Sequence, residues 1–367
     1  MADGRVRSRR SESEGALAGR GAAPVRPGPD EVVVVGQGAV AAAIGAWFSL
    51  STLAGAPAWR VRFVDAAPAF APEDCLAGAG AVVLVAHDGD FAAAGTAAAE
   101  RRAGAVAHTQ RVLAAARAVG ARHVVVISSA MVHGATPGRP VITDAAALIA
   151  AQDDGVVGDL LAVEAVVARV RRRRTPVVTV LRPAALVGPG VDTMITRHFE
   201  APRLLMVRGA VREWQFAHVD DLGAAAEHAI AHRLAGALTV GADDVLSPTQ
   251  VEVASGLRRI ELAAVTAFGT AERLHRVGVL PASASELAYT VYPWTVASDR
   301  LRASGWAPAW SSAACLEVLL DGRTGRLALA GRRVGPRDAA AFGAAGAAVA
   351  FLGTAAIWRQ ARVRRRG

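Results

Sequence analysis

The sequence alternates short runs of apolar, mostly β-branched residues with alanine-rich stretches long enough to form helices. Consecutive β-branched residues suit strands that are buried on both faces, and strands that alternate with helices are typical of a parallel sheet. The runs lie at residues 32–35, 61–64, 81–85, 123–127, 177–181 and 237–240. They predict an α/β fold in which helices cover both faces of a doubly wound parallel sheet.

The first of these runs leads into two glycines and an alanine-rich stretch, VVVVGQGAVAAAIGAW at residues 32–47. A strand, a tight glycine turn and a helix are together typical of dinucleotide sites, where the pyrophosphate lies at the helix N-terminus. Gly36 can form the turn, and Gly38 lets backbone amides approach the ligand. Ala41 stands where the third glycine of a G-x-G-x-x-G motif would be, and it is small enough for the helix to pack on the strand.

The second strand is followed by an acidic residue, Asp65. At this point of a dinucleotide site a carboxylate accepts hydrogen bonds from the adenosine ribose hydroxyls and repels a 2′-phosphate, so Asp65 favours NAD over NADP. The alternative is a strand–helix turn that binds nothing, with Asp65 capping a loop.

Five further segments occur in an order and spacing that resemble the NAD-dependent epimerase/dehydratase family, the extended short-chain dehydrogenases/reductases, over about residues 31–320. They are GAGAVVLVAHDGD at 78–90, HVVVISSAMVHG at 123–134, VVTVLRPAALVGPG at 177–190, WQFAHVDDLGAAAEHAI at 214–230 and SDRLRASGWAP at 298–308. The second is similar to the family's S-S-x-x-V-Y-G signature, and the third to its L-R-P motif.

This resemblance implies a Rossmann-type NAD(P)-binding domain at residues 31–185, followed by a smaller substrate-type domain at 186–335. It also implies a homodimer built on a four-helix bundle that includes the helix near 156–171, and a small-molecule substrate. The implied contacts to the dinucleotide come from Gly36, Gly38, Ala39, Val40, Asp65, Ala86, Ser128 and Pro183.

The chain departs from the family in its glycine loop and its signature tyrosine. Aligned from Gly36, the second and third glycines of the family's G-x-x-G-x-x-G loop fall on Ala39 and Ala42. A methyl group at position 39 is expected to crowd the pyrophosphate. Ser129 matches the serine of the family's fifth strand, whereas His133 takes the place of the signature tyrosine.

The catalytic pair of the family is also missing. Its members relay a proton through a tyrosine and a lysine four residues later, in the frame Y-G-x-x-K-x-x-x-E. Gly158 fits that frame, which puts Val157 and Leu161 at the tyrosine and lysine positions, and Glu164 lies one residue before the frame's glutamate position. The chain contains no lysine, and both of its tyrosines lie far downstream. An apolar pair cannot carry out general acid/base catalysis.

Three functions fit these observations. The chain is a non-catalytic NAD(H)-binding sensor or scaffold, an epimerase, dehydratase or reductase that uses Ser129 and His133, or an interaction module that has lost the nucleotide. Three polar clusters are open to simpler interpretations than catalysis or metal binding. The helix starting near 156 is expected to be capped by Asp153, Asp154 and Asp159. The helix near 221–235 is expected to be capped by His218, Asp220 and Asp221. His87, Asp88 and Asp90 suit a polar loop, and no metal site is predicted.

The net charge of +9 is carried by the ends of the chain, because residues 31–330 hold 27 residues of each sign. This distribution argues against a nucleic-acid-binding body. Two cysteines exclude a disulfide scaffold and suggest a reducing compartment. Residues 1–30 are expected to form a disordered tail without a signal peptide, and residues 359–367 a basic tail.

Residues 339–358 contain no charge, are flanked by arginines and are long enough to span a hydrocarbon core as a helix. This predicts a transmembrane helix that anchors a cytoplasmic body to the inner membrane. The alternatives are an alanine-rich helix packed on the body and a low-complexity tail.

Overall fold

The computed structural model describes residues 30–53, 56–65, 72–86, 98–150, 155–171, 175–277, 280, 283–322, 327–329 and 332–334. The strands are β1 (Asp30–Val35), β2 (Thr52–Leu53), β3 (Ala56–Pro57), β4 (Trp59–Val64), β5 (Ala81–Val85), β6 (His123–Ile127), β7 (Val177–Pro183), β8 (Ala185–Val187), β9 (Leu204–Val207), β10 (Phe216–His218), β11 (Gly236–Val240), β12 (Arg259–Leu262), β13 (Leu327–Leu329) and β14 (Arg332–Val334). The helices are α1 (Gly38–Leu50), α2 (Pro72–Leu76), α3 (Ala98–Ala118), α4 (Gly155–Val170), α5 (Met194–Glu200), α6 (Val219–Ala231), α7 (Pro248–Ser255), α8 (Ala264–Arg276), α9 (Ala284–Val291), α10 (Asp299–Ala303) and α11 (Ser312–Asp321).

A six-stranded parallel sheet in the order β11-β7-β6-β5-β1-β4 forms the centre of the molecule. Each of the six predicted runs lies in one of its strands. The chain crosses from β4 on one side of β1 to β5 on the other, with Val35 level with Val64 and Leu84. Such a reversal is the point where open α/β sheets bind ligands, outside the carboxyl ends of the strands.

Both faces of this sheet are buried, as its β-branched composition requires. One face packs against α1 and α6 through an apolar cluster that includes Val34, Ile44 and Leu222. The other packs against α2, α3 and α4 through Val33, Val112 and Val167. Val32, Val33, Val34 and Val35 have no exposed surface. The predicted doubly wound parallel sheet is therefore confirmed.

A smaller, irregular region covers the carboxyl edge of the sheet. It contains the two-stranded pairs β8–β10 and β9–β12, and its own apolar core includes Phe199, Trp214 and Phe216. Helix α7 ends at Ser255, and β12 begins at Arg259. Gly256 explains the stop, because its φ of +65° forms a left-handed C-cap.

No helix among the described residues is long and apolar enough to cross a membrane. The predicted membrane span 339–358 and the basic tail 359–367 lie outside those residues, as does nearly all of the predicted tail 1–30. The domain boundary near 185 and the membrane anchor stay predictions.

Candidate functional site

The turn after β1 is shaped by a close approach between two strand ends. Gly36 has a φ of +150°, and its amide donates to the carbonyl of Val64 at 3.1 Å. A Cβ at this position would lie 2.8 Å from the Cβ of Val85. Only glycine fits both the dihedral and the space, as the sequence predicted for a turn at this point.

Helix α1 begins directly after this turn with its first amides free of side-chain caps. Gln37 is the N-cap residue, its side chain does not cap the helix, and the first turn holds no acidic residue. Gly38 has a φ of +79°, and Val40 is buried against the sheet. A helix N-terminus in this state has unpaired N–H groups and a positive dipole end, which suit an anion.

Ala39 lies where the loop after β8 approaches α1. Gly190, at the end of that loop, has a φ of +75°, and a Cβ there would lie 3.4 Å from the Cβ of Ala39. The methyl group that replaces the family's second glycine therefore faces the loop at 188–190.

Asp65 follows β4 and lies beside the glycine turn, as predicted. Its carboxylate accepts a hydrogen bond from the side-chain amide of Gln37, and both residues are exposed. Ala86, Ser128 and Pro183 lie at the carboxyl ends of β5, β6 and β7. These predicted contact residues thus follow, or end, neighbouring strands on one edge of the sheet.

A buried polar network extends from this edge through β6, α4 and β7. Ser128 donates from Oγ to Oε1 of Glu164 at 2.6 Å. The guanidinium of Arg182 donates from Nε and Nη2 to the two carboxylate oxygens of Glu164, at 3.0 and 2.5 Å. Glu164 and Arg182 are 5% and 6% exposed, so this is a well-paired buried ion pair. It fixes Glu164 on the sheet side of α4.

His133 belongs to the same network and has no exposed surface. Its Nδ1 lies 3.0 Å from the carbonyl oxygen of Ala147, and its Nε2 lies 3.3 Å from Nη1 of Arg182. A carbonyl can only accept and a guanidinium can only donate, so Nδ1 carries the proton and Nε2 accepts. Burial lowers the pKa of His133, and the charge of Arg182 lowers it further. The ring is neutral, with both nitrogens engaged.

Ser129 caps the short 3₁₀ turn Ala130–His133, where its Oγ accepts from the amide of Met131 at 3.2 Å. Val157 and Leu161 are 2% and 8% exposed and belong to the same apolar cluster as Met131 and Val132. The two positions expected to hold the tyrosine and lysine are therefore filled by packed apolar side chains. A catalytic role for Ser129 and His133 stays a prediction.

Two ionisable residues of α9 reach the same region, and no local sequence signal pointed to them. Glu286 accepts from the amide of Val156, the second residue of α4, at 2.6 Å, and burial raises its pKa. Tyr289 donates from its hydroxyl to the carbonyl of Met131 at 2.8 Å, and burial raises its pKa as well. Both groups bind backbone atoms and hold α4 and the 3₁₀ turn in place.

Among the described residues, the other polar clusters have structural roles. His218 accepts from the amide of Asp220 at 3.2 Å and stacks on Trp310, and Asp221 accepts from the amide of Ala309 at 2.8 Å. No group of three or more metal-ligating side chains occurs in the described ranges. Asp159 does not cap α4 as expected, because it is buried in an ion pair with Arg101 of α3. The remaining members lie outside the described residues: His87, Asp88, Asp90, Asp153 and Asp154.

The sequence also gave no sign of a buried cation in the smaller region. Arg212 is 1% exposed, lies 4.0 Å from the ring centre of Trp214, and donates to the carbonyl of Tyr289 at 3.2 Å. Burial lowers its pKa to about 9. The charge is stabilised by aromatic faces and carbonyl dipoles.

The model of the family "NAD dependent epimerase/dehydratase family" matches residues 69–241. Residues 69–241 are therefore similar in sequence to this family. The extended short-chain dehydrogenase/reductase resemblance is confirmed.

Curated relatives include the uncharacterized proteins Rv0501 of Mycobacterium tuberculosis and Mb0513 of Mycobacterium bovis. Each is 28% identical over 212 residues, which is 56% of this chain and 56% of the relative. The match thus spans about half the length of these relatives.

Solved structures of similar fold include MoeE5 in complex with UDP-glucuronic acid and NAD, with a TM-score of 0.59 and 19% identity over 80% of this chain and 98% of that one. UDP-glucuronic acid 4-epimerase from Bacillus cereus has a TM-score of 0.58 and 13% identity over 80% and 99% of the two chains. RMD from Pseudomonas aeruginosa, complexed with NADPH, has a TM-score of 0.55 and 17% identity over 79% and 98%. At these identities the likeness concerns the fold.

Proposed function

We propose that the chain binds NAD(H) at the carboxyl edge of its sheet and does so without acid/base catalysis. The observation that carries this proposal is the apolar packing of Val157 and Leu161 at the positions of the family's proton relay. His133, the nearest titratable replacement, is neutral and has both nitrogens engaged. Loss of the relay with retention of the binding edge suits a sensor or scaffold.

The residues at this edge fit a dinucleotide. Gly36 and Gly38 keep the turn open, and the uncapped amides of α1 suit a pyrophosphate. Asp65 would accept from the adenosine ribose hydroxyls in place of Gln37 and would disfavour a 2′-phosphate. Val40, Ala86, Ser128 and Pro183 would line the rest of the crevice, with Ala39 as the point of closest approach to the loop at 188–190.

When bound, NAD supplies a nicotinamide that can accept a hydride. Oxidation of an alcohol also requires a base for the hydroxyl proton. Ser129 accepts from a backbone amide, and Ser128 donates to Glu164. Neither hydroxyl has a free base beside it among the described residues, so the chain is expected to hold the cofactor without using it.

The experiment combines binding and turnover in one preparation of the full chain. Isothermal titration with NAD and NADH should show saturable binding. Incubation of the same sample with NAD and UDP-glucose or UDP-glucuronic acid, the sugar nucleotides bound by fold neighbours, should give no NADH fluorescence and no epimerised sugar. Turnover that disappears in a His133→Ala variant would instead establish the rerouted enzyme.

We infer in addition that residues 339–358 anchor the cytoplasmic body to the inner membrane. The support is the uncharged length of this segment and its arginine flanks. Fractionation of cells that produce the full chain or residues 1–338 tests it. The full chain should be found with membranes and the shorter chain in the soluble fraction, whereas equal distribution would contradict the anchor.

A further inference from the structure

A cavity of about 470 Å³ lies away from the candidate nucleotide edge, beside the edge strand β11. Its walls are the start of β11, the C-terminal end of α4, the beginning of α10 and the segment at 143–148. Small-molecule sites typically have volumes of 300–1,000 Å³. The cavity is therefore large enough for a ligand.

Three guanidinium groups line this cavity and retain unused donors. Each arginine carries five N–H donors. Arg171 makes no side-chain hydrogen bond or ion pair with the described residues, and it follows the last residue of α4 in an exposed position. Arg300 donates two hydrogen bonds, to the carbonyls of Ala235 and Ala237. Arg182 gives three, to Glu164 and His133. Among the described residues, five N–H groups of Arg171, three of Arg300 and two of Arg182 are thus without a partner.

The acidic lining offers fewer free acceptors. Asp144 already accepts from the amide and hydroxyl of Thr239 and from the amide of Arg300, so its carboxylate is satisfied. Asp299 makes no hydrogen bond with the described residues and is exposed. The lining therefore has more unused hydrogen-bond donors than unused acceptors, which suits a ligand rich in acceptors.

The rest of the lining is apolar and close to the sheet. The apolar lining includes Ala146 and Leu148, and Ala237 of β11. A molecule with an anionic head and an apolar body would place the head against the guanidiniums and the body between these side chains.

We propose that this cavity is a second binding site, for a small anionic metabolite of the carboxylate or phosphate class, with Arg171 and Arg300 as its anion-binding groups and Arg182 at its floor. The cavity shares Arg182 with the polar network beside the nucleotide edge, but none of the residues predicted to contact the dinucleotide lines it, so its existence does not depend on nucleotide binding.

The test is isothermal titration of the full chain at physiological ionic strength with two probes, inorganic phosphate and octanoate. At least one should bind with one-to-one stoichiometry and a Kd below about 1 mM. Phosphate tests the anionic head alone, and tighter binding of octanoate would show that the apolar walls take part. Failure of both probes to saturate overturns the proposal.

A matched pair of variants separates the site from diffuse charge. Arg171→Gln removes one guanidinium from the cavity lining. It should raise the Kd of the probe that binds by at least about tenfold, as expected for the loss of one charge-assisted hydrogen bond. Arg169→Gln removes an exposed arginine on the same helical turn that does not line the cavity, and should leave the Kd within about twofold. Arg300→Gln should repeat the effect of Arg171→Gln. Equal weakening by the variants at 169 and 171 would show attraction to the basic surface and refute the site.

Discussion

We expect Asp65 to decide the preference between NAD and NADP. It is exposed at the end of β4 and already holds a hydrogen-bond donor, the side chain of Gln37, beside the glycine turn. A carboxylate in this position disfavours the 2′-phosphate of NADP by charge repulsion.

We expect Asp65→Asn to reduce the preference for NAD over NADP by about tenfold, which corresponds to about 1.4 kcal/mol. The asparagine keeps hydrogen-bonding capacity for the ribose but removes the negative charge. The ratio of the two dissociation constants, measured by titration, checks this. Asp74→Asn makes the same charge change on an exposed residue of α2 and should leave the ratio unchanged. An unchanged ratio in the variant at 65 would remove Asp65 from the site.

His123 is a buried histidine at the start of β6 whose Nε2 lies 2.8 Å from Oγ1 of Thr179. The hydroxyl of Thr179 donates to the carbonyl of Leu234, so it accepts from the histidine, whose Nε2 carries the proton. Burial and the charge of Arg233 lower the pKa of His123 to about 4, from an ordinary value of 6.5.

This depressed pKa makes stability depend on pH. Between pH 6.5 and 4 the unfolded chain binds a proton at His123 that the folded chain does not, so the free energy of unfolding falls as pH falls. His123→Gln keeps a donor for Thr179 but cannot titrate. Denaturant unfolding at pH 7 and pH 5 should show the variant gaining about 2 kcal/mol relative to the parent chain. His232→Gln, at an exposed site, serves as the control, and parallel pH profiles for the parent and His123→Gln would refute the buried neutral state.

Among the elements, α1, β4 and α6 are joined by one carboxylate. Glu227 of α6 accepts from the indole N–H of Trp47 at 2.8 Å and from that of Trp59 at 2.7 Å, and the hydroxyl of Ser51 also donates to it. These hydrogen bonds connect α1 and β4 of the proposed nucleotide-binding half to α6.

Glu227→Ala should lower the free energy of unfolding by about 1–3 kcal/mol, because two half-buried indole donors lose their acceptor. Urea denaturation followed by tryptophan fluorescence measures the loss. Glu261→Ala removes an exposed carboxylate that has no hydrogen-bond or ion-pair partner among the described residues, and it should change stability by less than about 0.5 kcal/mol. Equal stability of the two variants would contradict the proposed role of Glu227.

The elements of the central sheet could be predicted from sequence because each strand carries its own signal. Runs such as 32–35 and 123–127 are β-branched and fully buried, so local composition and final environment agree. The glycine turn and Asp65 were likewise found by spacing along a short stretch of chain.

The inner contacts of the site could not be predicted in this way. Glu286 reaches Val156 across 130 residues, and Tyr289 reaches Met131 across 158. Asp159 was expected to cap α4, but Arg101 of α3 lies close enough to pair with it. Such pairings depend on how helices pack against one another, which a local pattern does not contain.

For the whole molecule, assembly through α4 stays a prediction. Ala165, Ala168 and Arg169 form the exposed side of this helix in the single chain, whereas its other side packs on the sheet and on α3. Light scattering on the purified chain should give the mass of a dimer, and Ala168→Glu should shift it toward the monomer through like-charge repulsion across the two-fold interface. A monomeric parent chain would exclude this assembly.

The central claim is that the edge of the sheet still binds NAD(H) although the proton relay is gone. The most direct measurement is thermal unfolding of the full chain with and without NAD, NADH, NADP and NADPH. A ligand at about 100 times its dissociation constant adds roughly 2.7 kcal/mol to the stability of the folded state. We predict a clear upward shift with NAD and NADH and a smaller one with NADP and NADPH. If none of the four shifts the unfolding temperature, Ala39, in place of the family's second glycine, has closed the site. That result would favour an interaction module that binds no nucleotide.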